Sequence, residues 1–153
     1  MARAIFVKSA RKDYPDIGVK KGESYWWWQF RSSGKHMSKT EPTRGQLTQS
    51  AFKISIYDIE DRLGSLKPIA GLKDEVDDIK GQLEDLKSEA ENSLSNMPEQ
   101  LQEGNVGQLL QDRIEALDDM ISEIDNVNID DDMDIEDMKS VIDDMIGISY
   151  LGS

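Results

Sequence analysis

The stretch IAGLKDEVDDIKGQLEDLKSEA, residues 69–90, decides the fold. Ile69, Leu72, Val76, Ile79, Leu83, Leu86 and Ala90 recur at alternating intervals of three and four residues. That spacing puts them on one side of a helix, as the a/d seam of a coiled coil or helical hairpin. Charged residues fill the gaps, with Lys73–Asp77 and Lys80–Glu84 at the i,i+4 spacing that supports an exposed helix. A second series, Leu110, Ile114, Leu117, Ile121 and Ile124, repeats the same intervals. Between the two lies SLSNMPEQLQEGNVG, where Pro98, Gly104 and Gly107 interrupt helical periodicity. Two helices of similar length joined by a short loop predict an antiparallel hairpin. Each seam is narrow, so association with a second copy or a larger partner is expected to complete the core. A parallel coiled-coil dimer through residues 52–96 is the competing arrangement.

Working outward, Phe52, Ile56, Ile59, Leu63 and Leu66 form an earlier helical face, with Thr48 or Ser50 as candidate cap. Gly64, Pro68 and Gly71 mark where it ends or kinks. On the other side, NVNIDDDMD stops the second seam and leads into IEDMKSVIDDMIGISYL, whose Met138, Ile142 (or Val141) and Met145 share a face. DDDMDIED alternates acids as a calcium loop does. Counted from Asp130, however, the sixth and twelfth positions are Ile135 and Val141, where that loop requires Gly and Glu. A helix-capping acidic linker is expected instead, and no metal site is assigned.

The first fifty residues have a different character. AIFVKSA is a short β-like run, and RKDYPDIGVKKGES is turn-rich. YWWWQF is the most β-prone segment of the chain. RSSGK supplies a Gly-containing turn and KHMSKT a returning strand, a hairpin signal. Alternation sends Tyr25, Trp27 and Gln29 to one face, and Trp26, Trp28 and Phe30 to the other. Because a small sheet closes only one face with its own core, the second aromatic face needs a cover: the following helix, a second subunit or a ligand.

Charge divides at the same place. Residues 1–50 hold 10 basic and 4 acidic residues, net +6, whereas residues 51–153 hold 8 and 27, net -19. The chain has no cysteine and a single histidine, which excludes disulfides, thiolate chemistry and Cys- or His-rich zinc sites. No apolar run approaches membrane-spanning length, and the start lacks a signal-peptide core, so an intracellular protein without membrane contact is expected. No Walker-type phosphate loop or G-x-S-x-G elbow occurs. The carboxylates fall on solvated helical surfaces without a pocket, so no enzyme activity and no cofactor are expected. In the head, Lys20, Lys21, Arg31, Lys35 and Lys39 could contact phosphates, with Trp26 and Trp28 as stacking platforms. The alternative places the tryptophans in the core, with the basic residues solubilising the head or pairing with acidic helices.

The segment KKGESYWWWQFRSSGKHMSKTEPTRGQLTQSAF, within a match from about Arg11 to Phe52, resembles a stretch found in small uncharacterised proteins of tailed bacteriophages. The resemblance implies a viral protein acting in the cytoplasm of a bacterial host, or carried in the virion. YWWWQFRSSGKHMSKT also resembles the strand-turn-strand part of small DNA-arm-binding domains of recombinases.

These readings give an α+β fold, a small antiparallel β head followed by long acidic helices forming a helical hairpin or coiled coil. The head spans 1–50, seam-bearing helices 51–97, a loop 98–105, an antiparallel helix 106–128, and an acidic linker with a short C-terminal helix 129–153. The expected function is non-enzymatic binding of a larger host or viral protein, in particular a nucleic-acid-related machine, or by acidic mimicry of nucleic acid. Trp26, Trp28, Phe30, Met138, Ile142 and Met145 are the candidate anchors, and the seam from Ile69 to Ile124 is expected to carry homo-oligomerisation. Nucleic-acid binding by the head, and a structural role in the virion, are the alternatives.

Overall fold

The computed structural model describes residues 1–152 and has the α+β architecture that the sequence predicts. The chain forms two compact units, Met1–Tyr57 and Asp58–Ser153. The division falls seven residues beyond the charge boundary, within the helix α1 (Ala51–Gly64).

The first unit is a three-stranded antiparallel sheet, β1 (Ile5–Val7), β2 (Tyr25–Gln29) and β3 (Lys35–Ser38), with β2 central. Four consecutive aromatics, Tyr25 to Trp28, favour the central strand, where both neighbours cover their backbone and flanks. The register opposes Phe6 to Trp26, Ile5 to Trp27 and Val7 to Tyr25, then Trp27 to Met37 and Trp28 to His36. Directly opposed residues share a face, so Val7, Tyr25, Trp27 and Met37 lie on one side, and Phe6, Trp26, Trp28 and His36 on the other. The segment between β1 and β2 closes the first side: buried Ala10, Val19 and Tyr25 form its centre, with Tyr14, Ile17, Trp27 and Met37 packed around them. The head therefore has a core of its own despite its size.

In the second unit, α2 (Leu72–Ser95) and α4 (Asn105–Asn126) form the expected antiparallel hairpin. The direction is fixed by ion pairs: as the lysines advance from Lys73 to Lys80 to Lys87, their partners on the other side retreat from Asp131 to Asp125 to Asp118. Leu72, Val76, Ile79 and Leu83 are buried from α2, and Leu117, Ile121 and Ile124 from α4, with Ala116 and Met120 beside them. Leu86, Leu110 and Ile114 are half-buried towards the connected end. Ile69 departs from the expected seam: it is 55 % exposed. It belongs to the connection after α1, and α2 begins only at Leu72, so the helical period that would have turned Ile69 inward has not started. That break also rules out one continuous helix over 52–96.

The connection expected as a loop at 98–105 contains a single helical turn, α3 (Glu99–Gln102), started by Pro98, whose carbonyl accepts from the Leu101 and Gln102 amides. α4 starts hard against it. A Cβ on Gly107 would stand 2.0 Å from the Gln102 carbonyl oxygen, so only glycine permits this crossing. α5 (Ile135–Ile146) is capped by Asp134, whose carboxylate accepts from the Asp137 amide at 2.9 Å, as the linker reading anticipated. The Tyr150 amide then donates to Glu60 Oε1 at 3.1 Å, tying the C-terminal segment to the last turns of α1. Ser50 is the α1 cap, accepting from the Lys53 amide, while Thr48 Oγ1 accepts from the Ser50 amide.

Candidate functional site

Each unit presents a charged surface of opposite sign. In the first unit Lys12, Lys20, Lys21, Lys35 and Lys39 gather on the Tyr25–Trp27 side. Two hydrogen bonds build a turn there: the Lys21 amide donates to Asp13 Oδ1 at 2.7 Å and the Lys20 amide to Glu23 Oε2 at 2.8 Å. The Glu23 amide closes the turn on the Lys20 carbonyl, and Gly22 adopts φ +94°, the left-handed value a type II turn requires at this position. With its backbone braced, the turn holds the Lys20 and Lys21 side chains in solvent. Lys39 reaches the same place from beyond β3, donating to the Gly18 carbonyl at 3.4 Å and standing 3.8 Å from Glu23. The Lys20 amide, and then the Lys39 charge, hold the Glu23 carboxyl below its usual pKa.

Aromatic rings interleave with these cations. Lys35 Nζ lies 4.3 Å from the centre of the Trp27 ring, and Lys12 Nζ 5.5 Å from that of Tyr14. Tyr14 in turn packs on Tyr25, ring centres 5.2 Å apart, and this neighbour together with burial raises the Tyr25 pKa. Lys20, Lys21, Lys35 and Lys39 are thus brought to one side as a group, whereas Arg31 is exposed beyond the end of β2.

The expected stacking platforms need correction. Trp28 is 5 % exposed and stacks on His36, ring centres 5.6 Å apart, so its faces are not open to a base. Trp26 is half-buried against Phe6, itself 52 % exposed, on the sheet face opposite the lysines. Phe30 is half-buried and meets His36 edge-on. Tyr14 and Trp27, rather than Trp26 and Trp28, are the rings that share a side with the cations, Lys12 among them. Strand parity already separates Trp27 from Trp26 and Trp28, but the folding of residues 8–24 onto the Trp27 face has no comparable signal.

In the second unit the anchors proposed for α5 are also corrected. Ile142 is 6 % exposed and Met145 is fully buried, while Met138 is half-buried. The apolar face of α5 completes the core of its own unit. The seam likewise is closed within one chain, so Leu72, Val76, Ile79, Leu83, Leu117, Ile121 and Ile124 have no surface left for a second copy while the hairpin is intact.

What this unit does present is charge. Residues 58–153 carry 7 basic and 27 acidic residues, net -20, against 11 and 4, net +7, in residues 1–57. Arg62, Lys73, Lys80, Lys87 and Lys139 all hold carboxylates of the same unit. Arg62 also donates to Gln82, Lys80 lies 2.5 Å from Asp125, and Lys87 lies 2.6 Å from Asp118. The hydrogen bonds to Asp125 and Asp118 raise the pKa of the two lysines. On α4, Glu115, Asp119 and Glu123 stand exposed at intervals of four residues, roughly 6 Å apart along the helix.

Among the described residues no group of His, Asp or Glu is arranged to hold a metal ion, and no helix is long and apolar enough to cross a membrane. No protein-family model matches the chain, and no curated protein or solved structure is significantly similar to it.

Proposed function

We propose that the chain is a non-enzymatic interaction protein whose acidic helical unit docks on a basic surface of a larger host or viral protein. The observation that carries this reading is the disposition of charge in residues 58–153. Five of its seven cations pair with carboxylates of the unit, Arg62, Lys80 and Lys87 from one helix to the next, which leaves a surplus of carboxylates outside. Such a surface selects cationic partners: attraction raises the encounter rate, and like charge repels other partners. Basic grooves that normally receive phosphates are the chemistry it fits, so a nucleic-acid-handling machine is the class of partner proposed. A phage-like origin, suggested by the resemblance of residues 11–52, is in keeping with a small protein that acts on such a machine.

The test is capture from bacterial lysate by the intact chain and by a Glu115→Gln/Asp119→Asn/Glu123→Gln variant. A specific protein should be retained at low salt, be released as salt rises, and be lost with the variant at unchanged circular dichroism. A captured protein indifferent to both salt and the variant contradicts the reading. Assembly of the chain alone into large ordered particles favours the virion-component alternative.

A further inference from the structure

We propose that the basic unit binds single-stranded nucleic acid across the Lys20–Lys21 turn, with phosphates on the lysines and bases on the Tyr14 and Trp27 rings. This site lies on residues 8–39 and is independent of the acidic surface, so either can fail without the other. Three observations support it together. The first is charge: Arg11, Lys12, Lys20, Lys21, Lys35 and Lys39 outnumber the carboxylates Asp13, Asp16 and Glu23 of the same segment. Asp13 and Glu23 are engaged with the backbone amides of the turn, so they position the lysines as well as offsetting them. Second, the turn is preformed, so presenting these lysines costs little ordering entropy on binding. Third, Lys12 and Lys35 sit over the Tyr14 and Trp27 rings. A π face that attracts a flexible cation in the free protein can take a base in its place, and the displaced ammonium remains within reach of the flanking phosphate.

The ring faces decide between polyanions. An acidic protein segment would be held by the cations and would not require the rings. In a duplex the bases are stacked on one another, and only the phosphates would engage. A single strand offers alternating bases and phosphates, matching alternating rings and lysines. The opposite face of the sheet, with Phe6 and Trp26, has aromatic surface without this cation cluster, and so serves as an internal control.

The experiment measures fluorescence anisotropy of a labelled oligothymidylate of about twelve nucleotides, and of a duplex of the same length, against the full chain. Salt runs from about 20 to about 200 mM. The single strand should bind more tightly than the duplex and weaken steadily with salt. Each phosphate contact contributes about 0.7 to the slope of log affinity against log salt, so Lys20→Ala/Lys21→Ala should lower the slope by about 1.4. Trp27→Leu should weaken binding by at least about fivefold with little change in slope. Phe6→Ala should leave both unchanged. If Trp27→Leu disturbs the fold by circular dichroism, the double lysine variant, whose side chains are exposed, decides alone. Absence of binding at the lowest salt overturns the proposal, as does a slope unaffected by the lysine variant. Equal affinity for duplex with Trp27→Leu neutral reduces the surface to a general polyanion binder and removes the stacking claim. Self-association that disappears in the lysine variant, without oligonucleotide binding, would assign the surface to an acidic protein instead.

Discussion

Leu83 and Ile69 stand on the same apolar stripe in the sequence, yet the structure separates them completely: Leu83 is fully buried and Ile69 is 55 % exposed. Truncation of each to alanine measures that difference. Leu83→Ala removes three carbons from the interior of the hairpin, about 2.4 kcal/mol of transfer free energy at about 0.8 kcal/mol per group. The space left between α2 and α4 adds a cavity cost that raises the total to about 3–4 kcal/mol, within the range found for leucines deleted from packed cores. The unit that houses Leu83 spans 96 residues. For a domain of that size each kcal/mol lowers the melting temperature by about 4–8 °C, so a fall of at least about 12 °C is expected. Ile69→Ala should stay within about 0.5 kcal/mol of the wild type, as substitutions of exposed residues do. The assay is thermal unfolding followed by circular dichroism at two protein concentrations far apart. Because the seam is closed within one chain, the transition should not move with concentration, whereas a seam shared between copies would make it rise. Similar losses for the two variants, or a concentration-dependent transition abolished by Leu83→Ala, would refute the intrachain assignment.

Other predictions concern glycine, charge and tryptophan. Gly107→Ala should destabilise by about 1–3 kcal/mol, because its Cβ meets the Gln102 backbone. Gly81→Ala, in α2 with nothing within 4 Å of the added carbon, should stabilise by about 0.5–1 kcal/mol in urea unfolding. Lys80 and Lys87 have raised pKa values in the fold, so the stability they contribute is complete below the ordinary lysine value of about 10.4 and is lost as pH rises through the folded values. Tyr150, raised by burial, acts in the same direction. Melting temperature should therefore decline in alkali, and Lys80→Met/Lys87→Met should shallow that decline; an unchanged profile would contradict the role given to these pairs. Finally, Trp28→Phe should remove the bluest and least acrylamide-quenchable part of the tryptophan emission, since Trp28 is the buried member of the three.

Most of the long elements were legible in the sequence, together with the inward stripes of the hairpin helices. Apolar intervals of three and four specify a helical stripe from Leu72 to Ala90 and from Leu110 to Ile124, and alternation in YWWWQF specifies which tryptophans share a face. It also located the charge boundary, because net charge depends on composition alone. Lysines seven apart at 73, 80 and 87, with Asp118 and Asp125 on the opposing helix, carried a signal for the antiparallel register. Periodicity names a face but not the partner that covers it, and this is where the tertiary structure decided. The α5 face with Ile142 and Met145 reads equally well as an external anchor or as core, and only the folded chain turns it inward. Ile69 continues the arithmetic of the seam but precedes the helix that gives that arithmetic meaning. Trp26 and Trp28 point the same way, yet Trp28 is buried beside His36 and Trp26 remains half-buried beside Phe6. Burial depends on what distant segments bring over a residue, and the fold of residues 8–24 set Tyr14 and Trp27 among the lysines through contacts that no local pattern encodes.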